Sequence, residues 1–141
     1  MAGLYEQFKT DEAKENEGIE VEFPEAMDEV GNIPTFMIAF MGKTNKTYEK
    51  AREAVFRPLN RKILMGAVNR SVLEDMNFKL FVSHILKGWK NVVVNGVDLP
   101  FSREAATKLL TDLPAVYDRL LEESQLVENF RAASLEECAK N

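Results

Sequence analysis

Reactive side chains are scarce in these 141 residues. The single cysteine, Cys138, can form no internal disulfide, so a disulfide framework is excluded and a reducing compartment is the simplest one. The single histidine, His84, stands in an apolar stretch with no Cys or second His near it, so a zinc-type ligand set is missing. Apolar runs are short as well, and none approaches the ~20 residues that a bilayer span needs. Met1-Ala2-Gly3-Leu4-Tyr5-Glu6 carries no basic region ahead of an apolar one, and Ala rather than Gly follows Met1. Neither a membrane span, a lipid anchor nor a metal site is expected.

The arrangements that mark catalysis are equally thin. Gly42-Lys43-Thr44 follows an apolar strand and precedes a helix, the setting of a phosphate-binding loop. That loop needs a glycine five positions earlier, where Met37 stands, so the backbone amides cannot wrap a phosphate. Cys138 has Glu136 and Glu137 beside it, which raise a thiol pKa rather than lower it. Glu122 and Glu123 are adjacent and splay apart around a helix, so they do not converge on a substrate. The expectation is a protein that is not an enzyme and uses no cofactor.

What is present is apolar substance and separated charge. Hydrophobic residues make up 45% of the chain, with 9 Phe and 6 Met, enough for one folded core. The net charge of −5 is unevenly spread. Residues 1–31 hold ten acids and two lysines, a balance of −8, whereas residues 43–70 hold eight Lys/Arg and two Glu, a balance of +6. Either the basic stretch docks an acidic partner or nucleic acid, or it is the polar face of an amphipathic helix. Its bases are spread around the helix and the pI is near 5.0, which disfavours nucleic acid.

Periodicity divides the chain into an acidic arm over 1–17 and a single domain over 18–141. The arm reads as a short polar helix with only Leu4, Tyr5 and Phe8 to anchor it, ended by Gly18. Ile19-Glu20-Val21-Glu22-Phe23 alternates with the strand period, and Thr35 to Met41 is a more continuous apolar strand, together a β-hairpin. Such a hairpin alone is marginal and must lean on helices. A helical stripe follows through Tyr48, Ala51, Val55, Leu59 and Ile63, with Pro58 inside it to kink or split the helix. Ser71-Val72-Leu73-Glu74 has the capping-box spacing and opens a central helix expected to run to Trp89, with Trp89 largely buried at its end. Asn95-Gly96 is a turn, Ser102 caps the next helix to about Thr111, and Pro114 starts a last long one with Tyr117, Leu120, Leu121, Ser124, Val127 and Phe130 on its stripe. The expected fold is α+β and helix-dominated: an N-terminal β-hairpin packed on a bundle of about four helices.

Two aromatic residues fall off the core stripes: Tyr5 in the acidic arm and Phe56 beside Arg57 on the basic helix. A Phe flanked by Arg suits an interface anchor, and equally suits packing beneath a neighbouring helix. Tyr5, Phe56, Arg57 and Arg61 are therefore the candidate partner-binding residues.

Several short elements resemble the tail assembly chaperones of long-tailed, siphovirus-type bacteriophages. They are Trp89, Asn95-Gly96, Leu99-Pro100-Phe101-Ser102, Leu109 to Pro114, Asn129-Phe130-Arg131 and Lys140-Asn141, with Asn45-Lys46, Tyr48 and Arg57-Pro58-Leu59-Asn60-Arg61 upstream. The likeness covers roughly residues 18–141. It implies a protein of the host cell cytoplasm that binds the tape measure protein, recruits tail tube protein around it and is absent from the finished particle. A homo-oligomer is compatible with it. It also implies a longer product made by ribosomal slippage at Ala139-Lys140-Asn141, which otherwise is merely a polar tail. Two further readings stay open: a structural neck or tail component retained in the virion, and a nucleic-acid adaptor using residues 43–70.

Overall fold

The computed structural model describes residues 3–131, so Cys138, Glu136-Glu137 and the Ala139-Lys140-Asn141 end lie outside the described residues. The fold is α+β with helices dominant, as the periodicity predicts. Two short helices come first, α1 (Leu4–Phe8) and α2 (Glu12–Glu17). Asp11 caps α2 by accepting from the backbone N–H groups of Ala13 at 2.8 Å and Lys14 at 3.3 Å. Gly18 ends it at φ +102°, close under the second strand.

Strand β1 (Ile19–Glu22) runs antiparallel to β2 (Thr35–Ile38), with Val21 opposite Phe36. The hairpin is thus present, but it is two-thirds of a sheet. Residues Leu86–Lys90 form a third strand, β3, on the other side of β2, with Trp89 opposite Phe36 and Lys90 opposite Thr35. The sequence pattern placed these residues at the end of the central helix. A buried β2 with one unpaired edge would leave main-chain groups without partners, and that cost overrides the helical spacing of Ile85 and Trp89.

Helix α3 (Lys46–Phe56) is capped by Asn45, whose side chain accepts from the Tyr48 N–H at 3.3 Å and donates to the carbonyls of Phe40 at 2.9 Å and Glu15 at 3.0 Å. Pro58 splits the helix as expected: a 3-10 turn, Arg57–Leu59, separates α3 from α4 (Asn60–Leu64). Helix α5 (Arg70–Leu80) begins one residue before Ser71, and its N-cap Asn69 makes no side-chain cap bond. The capping box does not form, because Glu74 turns to Arg70 instead, 3.0 Å away. The helix then relaxes into one π turn, Phe81–Ile85, and passes into β3.

Beyond β3, Val93–Val94 (β4) and Val97–Asp98 (β5) close a small hairpin across Asn95 (φ 53°) and Gly96 (φ 76°). Both turn residues are left-handed, which is why Asn-Gly stands there. Ser102 caps α6 (Arg103–Asp112) through the Ala105 N–H at 3.0 Å, and Pro114 opens α7 (Pro114–Gln125), both as predicted. The last helix is shorter than its stripe. The Met41 N–H takes the Ser124 carbonyl at 2.8 Å and the Asn129 amide takes that of Glu123 at 2.9 Å, so the chain breaks at Leu126 before α8 (Val127–Phe130).

One core joins these elements. Ile38, Phe81, Ile85, Leu86, Leu110 and Leu120 are its most enclosed members. Phe23, Phe36, Trp89 and Phe101 continue it as an edge-to-face chain, with centroid separations of 5.3, 5.8 and 4.9 Å.

Candidate interaction site

The four predicted contact residues divide between two surfaces and the interior. Tyr5 lies on α1 with Leu4 and Phe8, and all three are exposed, Tyr5 by 80%. Helix α1 packs on α8, and the chain behind it is fastened there by the Asp11 N–H donating to the Phe130 carbonyl at 2.7 Å. The acidic arm is therefore divided: α1 presents its apolar side chains outward, whereas α2 is built into the body. Glu15 of α2 is buried and accepts hydrogen bonds from the hydroxyls of Thr10 and Thr44, the latter at 2.7 Å. That same Thr44 belongs to the Gly42-Lys43-Thr44 turn, whose threonine hydroxyl is thereby occupied.

Phe56 is a correction. It is buried at 8% exposure in the main core, with the Arg52 guanidinium 5.2 Å above its ring, while its neighbour Val55 faces outward. Helix α3 packs against α5 and the π turn, and it is the larger ring that fills this contact. Arg57 and Arg61 are exposed; Arg57 makes only a loose pair with Glu53, 3.6 Å apart on the helix surface.

What lies beside Arg61 was not legible in the stripe. Leu64 is 89% exposed and Met65 75%, at the tip where α4 ends in Gly66 (φ 68°). The turn is fixed by the Gly66 N–H to the Ile63 carbonyl at 3.0 Å and the Ala67 N–H to that of Lys62 at 2.8 Å. These bonds hold the two apolar side chains out from the body. The tip and the Tyr5 surface stand on different elements, with no hydrogen bond or ion pair between them among the described residues.

A third surface is a groove of about 400 Å³ between the β1–β2 loop, β4 and the α6–α7 junction. Phe23, Phe36 and Val92 form its floor, and Val93, Val94 and Leu113 stand at its open side, 40–47% exposed. Asp28 and Asp112 line it as well. Asp28 is set by its own loop, accepting from the N–H groups of Val30 and Asn32 at 2.9 Å each; the Asn32 bond is the largest reason its carboxyl lies below the usual range.

The titratable groups elsewhere serve the packing. His84 is half-buried, and burial, then the nearby Arg103 and Lys87 charges, push its pKa down, so it is neutral at pH 7. Arg103 donates to the carbonyls of Val82 and, at 3.4 Å, Leu86, holding the end of the π turn. The Tyr117 hydroxyl is pushed up to about 12, chiefly by burial under Phe78 and Phe81. Among the described residues no group of three or more His, Cys, Asp or Glu is placed to hold a metal ion, and no helix is long and apolar enough to cross a membrane.

No curated protein and no solved structure matches this chain. Residues 43–141, which begin at the turn before α3 and include the Leu64–Met65 tip but not α1, match the YdaY prophage protein family; the chain belongs to that family and is of bacteriophage origin.

Proposed function

We propose that this protein is a tail assembly chaperone of a long-tailed phage. In the host cytoplasm it binds the tape measure protein, keeps it soluble and brings tail tube subunits to it, and it carries out no catalysis. The observation that carries the reading is the outward placement of apolar side chains on charged elements: Leu64 and Met65 on a basic tip, Leu4, Tyr5 and Phe8 on an acidic arm. Contiguous apolar groups left in water mark sites of protein contact. A tape measure is a long, largely helical chain whose apolar stripes are exposed until the tube encloses it, and short apolar tips within charged surroundings suit brief capture of such stripes. The resemblance of residues 18–141 to tail chaperones supports this partner, and membership of a prophage protein family is consistent with a phage role.

The test is a comparison of infected cells with purified particles by quantitative mass spectrometry. A chaperone is abundant in the lysate and absent from washed, DNA-free particles. Recovery in particles at a fixed ring stoichiometry would instead make it a neck or tail component.

A further inference from the structure

Two of the exposed surfaces complement each other in shape and in charge. The first is the Leu64–Met65 tip, a pair of protruding apolar side chains with the exposed bases Arg61, Lys62 and Arg70 around it. The second is the apolar groove floored by Phe23, Phe36 and Val92. The loop over that groove, residues 24–32, carries Glu25, Asp28 and Glu29 and no base. Glu25 is paired with Arg119, but Asp28 and Glu29 make no ion pair among the described residues, so the groove keeps a negative rim. Tip and groove are both open in the same chain. The tip is therefore not seated in its own groove, whose lining includes no residue of α4.

We propose that the groove receives the Leu64–Met65 tip of a second copy of this chain. Knob and hole lie at different places on one molecule, so the contact is heterologous: each copy gives its tip to one neighbour and its groove to another. Association of this kind continues head to tail, closing into a ring or extending as a filament, and does not stop at a symmetric dimer. The apolar tip supplies the burial, while Arg61 and Lys62 facing Asp28 and Glu29 set the orientation and make assembly salt-sensitive. Self-association uses the same Leu64–Met65 tip as the proposed tape measure contact, but it is measured on the chain alone, and groove variants weaken it while leaving that tip intact.

The experiment is sedimentation velocity of the full chain over a wide concentration range, in low and high salt. The expected result is growth beyond a dimer with concentration, weakened by salt. A tip variant, Leu64→Asp with Met65→Ser, and a groove variant, Val94→Asp, each lose association by about tenfold or more. Mixed together they form a one-to-one pair and nothing larger, because each brings one intact surface. Should Val94→Asp fail to fold by circular dichroism, Glu29→Lys at the exposed rim takes its place and weakens assembly in low salt. A wild-type chain that stays monomeric throughout, a tip variant that assembles like wild type, or a mixture that gives no pair would overturn the proposal.

Discussion

The indole Nε1 of Trp89 donates to the carbonyl oxygen of Leu99 across 2.7 Å, tying β3 to the segment that leads into α6. The ring is half-buried rather than enclosed, held edge-on between Phe36 and Phe101. Trp89→Phe keeps most of the packing but leaves the Leu99 carbonyl without this donor, and should cost about 1 kcal/mol. Trp89→Ala loses the ring as well and should cost about 3 kcal/mol. Urea unfolding followed by circular dichroism separates the two; equal losses would mean that the hydrogen bond carries all of the effect.

Gly18 joins α2 to β1 where no side chain is tolerated. Its φ of +102° is left-handed, and a Cβ there would lie 2.7 Å from the Ile38 carbonyl oxygen, a main-chain atom of the central strand. Gly18→Ala should therefore destabilise by about 3 kcal/mol, from strain and contact together. A melting temperature within a degree or two of wild type would show that the turn can reshape freely.

The acidic arm should behave as two pieces under truncation. Removing residues 1–8 deletes exposed Leu4, Tyr5 and Phe8 and should leave the melting temperature nearly unchanged. Removing 1–17 also deletes Glu15, whose carbonyl accepts from the Phe40 N–H and the Asn45 amide at 3.0 Å each. Leaving those buried donors unpaired should cost on the order of 2–4 kcal/mol. Equal stability of the two truncated proteins would contradict the docking of α2.

Alkaline stability should depend on Tyr117. The unfolded hydroxyl titrates at its ordinary value of 10.0 and the folded one at about 12. The folded state thus binds more protons in that window, and stability is full below pH 10 and falls as pH rises from 10 to 12. Tyr117→Phe should flatten that decline. His84 acts at the other end: its lowered pKa means that stability is present above pH 6.5 and is lost as pH falls below it. Urea midpoints across both windows check the two slopes, and an unchanged alkaline slope in Tyr117→Phe would assign it to another group.

Local signals carried much of this fold. Ser102, Pro114, Pro58 and Asn95-Gly96 each act within a turn or two, where a short stretch of sequence contains the whole cause. Long-range pairing was not legible in the same way. Leu86–Lys90 has helical spacing with what precedes it, and only the unpaired edge of β2, some fifty positions upstream, makes it a strand. The same limit applies to the contact surfaces. Phe56 and Val55 differ by one step around α3, and their exchange of inside for outside depends on how α5 lies across them. Leu64 and Met65 look like core residues until Gly66 turns the chain and leaves them in water.

Chaperone activity is tested by co-expression of this chain with the tape measure protein of the same phage. The tape measure, insoluble alone, should become soluble and co-purify with this chain, and Leu64→Asp with Met65→Ser, or loss of residues 1–8, should reduce its recovery. A tape measure that remains insoluble and unbound beside abundant folded chain would contradict it.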